Sequence, residues 1–141
     1  MRPLRPAEIA ELLADEVSAH LATVDESGYP HVTPVRFVWD GDCFRLTDVA
    51  DRPHLRRMRS DPRVGFVVHR EAGARSGGGH VSREIRVTGQ ARLTDDIGGS
   101  WTSRIREKYA RASGGDGRCE ETADRVLVTI TPSRFCAVAV G

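Results

Sequence analysis

Over residues 81–93 apolar and polar positions alternate with a period of two, the spacing of a strand with one buried face. Val81, Arg83, Ile85, Val87, Gly89, Ala91 and Leu93 share one side; Ser82, Glu84, Arg86, Thr88, Gln90 and Arg92 share the other. Gly89 within this run predicts a bend or a close backbone approach. Shorter runs predict strands at 21–24, 31–39, 43–47, 63–70, 125–131 and 134–140, the last two joined at Pro132. Asp25-Glu26-Ser27-Gly28 and Asp40-Gly41-Asp42 read as hairpin turns. Pro34 cannot donate to a ladder, so it marks either a sheet edge or a bulge in the strand it interrupts.

Three segments change to a helical period. In residues 6–16, Ile9, Leu12 and Leu13 form one apolar stripe, suited to covering an open end of a barrel. Residues 53–60 open on Pro53 and close before Asp61-Pro62, with Leu55 and Met58 inward. Residues 97–112 place Trp101, Ile105 and Tyr109 four apart. Six or seven strands joined mostly by hairpins, with a few short helices, predict a mainly β (α+β) small antiparallel barrel. Residues 71–80, with four glycines, read either as a hairpin loop or as a flap over a site.

A length of 141 residues fits one domain, 1–141. With 39% hydrophobic and 29% charged residues, the chain can bury a core and stay in solution. Its apolar runs are too short to span a membrane, and the first residues carry no apolar signal core. Cys43, Cys119 and Cys136 have neither C-x-x-C spacing nor an even count, so they predict neither a disulfide framework nor zinc. Scattered thiols of this kind suit a reducing cytoplasm. The five histidines lack metal-ligand spacing. A net charge of +1 leaves no global field for nucleic acid, and residues 45–65, rich in arginine, hold no aromatic side chain for base stacking.

The stretch from Asp40 to Val68 carries the candidate chemistry. A strand ends at Thr47, a polar loop follows, and a helix opens at Pro53. The first turn of a helix favours an anion, and Thr47, Arg52 and His54 sit around it, so the turn reads as a phosphate cradle. The alternative is that Arg52, Arg56 and Arg59 form a solvated helix face. No nucleophile or acid–base pair stands out; His31 and Tyr29 are the available proton donors.

In order along the chain, L-A-T-V-D-E-S-G-Y-P-H-V-T-P-V-R-F-V-W-D-G-D, R-P-H-L-R-R-M-R-S-D-P-R-V, I-R-V-T-G-Q-A-R-L and V-T-I-T-P-S-R-F resemble the pyridoxamine 5′-phosphate oxidase-like family. The resemblance runs from about Leu21 to Phe135. It implies a split β-barrel, a cofactor that is either FMN or the deazaflavin F420, and a homodimer with two cofactor sites at its interface. By resemblance, Thr33, Pro34, Val35 and Arg36 line the ring. Thr47, Arg52, His54 and Arg57 hold the phosphate beside Pro53. Arg83 and Arg86 approach the ring from the neighbouring subunit. His54 stands where many relatives carry lysine, which shifts fixed charge onto Arg52. The implied reaction is hydride transfer to or from a small unsaturated or aromatic substrate, the flavin carrying the hydride. Pyridoxamine phosphate is not expected, since its extra C-terminal substrate residues have no counterpart here. The alternative class is a flavin- or haem-binding carrier, store or sensor without turnover.

Overall fold

One antiparallel sheet organises the computed structural model, which describes residues 1–72, 81–111 and 125–141. The elements are β1 (Arg2–Pro3), α1 (Pro6–Ala14), β2 (Ala19–Val24), β3 (Pro30–Val35), β4 (Val38–Trp39), β5 (Phe44–Val49), α2 (Pro53–Ser60), β6 (Arg63–Ala72), β7 (Val81–Asp95), α3 (Ser100–Lys108) and β8 (Arg125–Val140). A 3-10 turn, Ile97–Gly99, leads into α3. The strand order is β3-β2-β6-β7-β8-β5-β4, with β1 added to the far end of β8. The expected flap at 71–80 falls almost wholly outside the described residues, as do Cys119 and the loop around it.

The sheet curls on itself. Phe44 of β5 and Phe66 of β6 have ring centroids 4.6 Å apart, although β7 and β8 separate them along the ladder. Phe37 meets both rings edge-on, at 5.7 and 5.4 Å, the arrangement that aligns ring edge with ring face. The inward faces of β2, β6, β7 and β8 add Leu21, Val68, Ile85, Val128 and Ile130, all buried. The curled sheet is split where β3 and β5 face each other without a ladder. There β4 pairs only with Phe44 and Arg45, and leaves the rest of that edge of β5 without a strand, while β8 pairs along its other edge. The result is the expected mainly β split barrel with short flanking helices.

The long alternating run is β7, with Ile85, Val87, Gly89 and Ala91 buried. Its register against β8 shifts between Thr88 and Gly89. A Cβ on Gly89 would lie 2.3 Å from the Thr131 carbonyl oxygen, so the predicted close approach is present. Pro132 does not divide the last two strands. It pairs with Gly89 at that shift, where the ladder is already irregular, and β8 runs unbroken for 16 residues. The predicted strand at 31–39 is instead two strands, because residues 36–37 leave the ladder. Pro34 sits within β3, at the sheet edge. Pro30 and Pro34 pair with Val24 and His20, and having no N–H they must turn their nitrogens away from β2.

The helices close the barrel ends. Leu12 and Leu13 of α1 are buried, and Ile9 packs against the core. Glu8 of the same helix is 3% exposed and accepts bonds from Arg2 at 2.8 and 2.9 Å and from the Arg5 backbone and side chain at 3.0 Å. Those donors hold its carboxyl far below the usual range.

Candidate functional site

The split in the barrel forms a cleft of about 280 Å³ between β3, the second half of β5, and α2 and α3. Thr33, Pro34, Val35 and Arg36 form one wall; Leu46, Thr47 and Asp48 form another. His54 enters from α2, Thr102, Ile105 and Arg106 from α3, and Arg125 from the start of β8. Along its free edge β3 offers the carbonyls of Pro30, Val32 and Pro34 but, of these three residues, only the Val32 N–H.

The far wall is fixed by one carboxylate. Asp96 is 7% exposed, and accepts from the Trp101 and Thr102 N–H groups, each at 3.0 Å, and from the Thr102 hydroxyl at 2.7 Å. It thereby satisfies the first turn of α3, whose open donors need a partner. The Thr102 oxygen lies 2.9 Å from that of Thr47, which joins α3 to β5 at the edge of the cleft.

His54 is buried, and its Nε2 has no hydrogen-bond partner. Asp48 Oδ2 is 3.3 Å from it, within ion-pair range. Burial pushes the Asp48 carboxyl up, but His54, the Val49 N–H and Arg52 outweigh this and leave it below its ordinary value. At the α2 start, Pro53 has no N–H. The Leu55 and Arg56 N–H groups go to the Arg52 carbonyl, and that of Arg52 goes to Val49. The His54 N–H is what remains of the predicted helix-turn cradle.

The expected residues therefore divide. Thr33, Pro34, Val35, Arg36, Thr47 and His54 come together in the cleft, six positions from three separate stretches of chain. Arg52 caps α2 from outside it, exposed and 3.4 Å from Asp48. Arg57 turns to β2 and donates to the Thr23 hydroxyl at 2.7 Å. Arg83 lies 3.3 Å from Glu8 and 3.2 Å from Glu11 of α1. Arg86 pairs with Glu84 on its own strand. Sequence reasoning missed Thr102, Arg106 and Arg125. The one signal for the first two was a polar pair four apart beside the apolar stripe of α3.

The family model described as pyridoxamine 5′-phosphate oxidase matches residues 6–138. An F420 reductase superposes with a TM-score of 0.70 at 26% identity, over 89% of this chain and 93% of that one. The structure titled as HutZ, the haem storage protein of Vibrio cholerae, gives 0.69 at 18%, over 98% and 96%. The FAD- and haem-binding protein of Mycobacterium smegmatis gives 0.71 at 16%, over 94% and 70%. No curated protein matches the chain.

Proposed function

The chain belongs to the pyridoxamine 5′-phosphate oxidase family, and from that premise we propose that it binds FMN or F420 in the cleft between β3 and β5 and transfers hydride to or from a small unsaturated or aromatic substrate. The observation that carries this reading is the donor set. Three arginines, Arg36, Arg106 and Arg125, and the buried His54 line the cleft, where Asp48 is the single lining carboxylate. The Thr47 and Thr102 hydroxyls, 2.9 Å apart, add a polar edge, the Thr102 proton being committed to Asp96. Planar guanidinium forks match phosphate oxygens better than point charges do. These residues fit the phosphorylated chain of either cofactor. The acceptor-rich β3 edge suits a ring that carries an N–H. A bound flavin or deazaflavin supplies the hydride centre, and this chain's residues supply position and exclusion of water.

Pockets that enclose small molecules span roughly 300–1,000 Å³. At about 280 Å³ the cleft holds only part of so large a ligand. The remainder would lie along β3, where Tyr29 and Val32 are 70% and 64% exposed. A second copy of the chain covering that edge completes the site in this reading, so the working unit is a homodimer.

Titration with FMN, F420 and haemin, followed by absorbance, tests the proposal. Saturable binding of FMN or F420, followed by its reduction with NAD(P)H or reoxidation by a substrate panel, supports an oxidoreductase. Binding of haemin alone replaces it with a store or carrier. A monomeric mass by light scattering removes the dimer.

A further inference from the structure

Residues 36 and 37 cross from β3 to β4 outside any ladder, and their backbone groups need other partners. Both groups of Phe37 find them at the end of one helix. The Phe37 N–H donates to the Tyr109 hydroxyl at 3.3 Å, and Lys108 Nζ donates to the Phe37 carbonyl at 2.9 Å. The same two side chains reach back to the last turn of α1 and the segment after it. Lys108 also donates to the Leu13 carbonyl at 2.9 Å, and the Tyr109 hydroxyl donates to the Val17 carbonyl at 2.7 Å. The Lys108 ammonium lies 3.7 Å from the centre of the Phe37 ring, and the Arg36 guanidinium carbon lies 5.1 Å from that of Tyr109.

The same helix, α3, carries Thr102, Ile105 and Arg106 into the cleft. We propose that Lys108 and Tyr109 are positioning residues that clamp the Phe37 backbone, and so hold the Arg36 wall of the cleft at a fixed distance from the Arg106 wall. One rigid helix then references both walls. The inference rests on the cleft being the cofactor site, yet the clamp itself is testable without cofactor. Side chains that line a site act at full strength only when their supports are locked.

The test uses Lys108→Met and Tyr109→Phe in the full chain. Hydrogen exchange of the ligand-free protein reads the peptide spanning 34–38. Each variant should speed exchange there by about ten-fold while β7 keeps its protection, since a lost buried hydrogen bond is worth about that factor. Unchanged exchange at 34–38 in both variants overturns the clamp. If Lys108→Met does not fold, Tyr109→Phe decides it. FMN titration of Lys108→Met, Arg36→Ala and the double variant gives the second reading. The expected result is that the double variant binds no more weakly than Arg36→Ala alone. Additive losses would mean that Lys108 acts on the fold generally, and would overturn its positioning role. A wild-type protein that binds neither FMN nor F420 sinks the functional reading, and hydrogen exchange then judges the clamp alone.

Discussion

His54 Nε2 lies 3.3 Å from Asp48 Oδ2, in ion-pair range but outside hydrogen-bond alignment, so a buried imidazole nitrogen and a carboxylate share the floor of the cleft. The pair gives the buried imidazole a carboxylate as its neighbour. In the proposed reading an incoming anion competes with Asp48 for His54.

Asp48→Asn removes that competitor. FMN affinity should rise, read by titration. The stability lost should be about 1 kcal/mol in urea unfolding, as for one charge-assisted contact. Because the folded carboxyl sits below its ordinary value of 3.8, the wild-type advantage should be full above that pH and vanish as pH falls through the folded value. An advantage that grew on acidification would contradict the ion pair.

Arg106 and Arg125 line the cleft, whereas Arg52 faces solvent beside Asp48. Arg106→Ala and Arg125→Ala should each weaken FMN binding about ten-fold or more, as loss of a charged hydrogen bond does. Arg52→Ala should change it far less. Dissociation constants for the three variants check the order, and a dominant Arg52 would restore the helix-turn cradle.

Gly89 and Gly65 are both strand glycines, and only one is irreplaceable. A Cβ at Gly89 would overlap the Thr131 backbone at 2.3 Å; one at Gly65 would meet the Ala22 Cβ at an ordinary 3.5 Å. Gly89→Ala should cost about 1–3 kcal/mol or more through backbone displacement. Gly65→Ala should leave the denaturation midpoint nearly unchanged.

Lys108 sits against the Phe37 and Tyr109 rings, with Asp15 as the carboxylate that acts on it; Asp15, Glu16 and Arg36 act on the neighbouring Tyr109. Burial pushes its ammonium down to about 8, against the pull of Asp15. Between that value and 10.5 the unfolded chain binds the extra proton, so stability rises with pH across this window. Urea midpoints at pH 7 and pH 9.5 should show wild type gaining on Lys108→Met. A parallel course for the two proteins would place the ammonium in solvent.

Much of the barrel was legible because its longest strand, β7, alternates cleanly and its glycine marks a real collision point. β8 was read as two strands because a proline normally ends pairing. The bulge opposite Gly89, a long-range feature, removes the need for its N–H. In the site, the β3 wall, Thr47 and His54 followed from order along the chain. Arg57 did not, since which strand lies beneath α2 is not written locally, and Thr23 of β2 takes its guanidinium. Arg106 and Arg125 lie far along the sequence from the Asp40 to Val68 stretch and meet it only once the sheet has curled.

The two proline nitrogens turned away from β2 have a consequence for the protein in a crowded cell. An open strand edge is a template onto which a stray chain can zip, the first step toward fibrils. On β3 two of the three outward positions have nothing to donate, so a foreign strand would find two of its acceptors unpaired there. The open side of the barrel is thus a poorer template for aggregates than a fully donating strand edge would be.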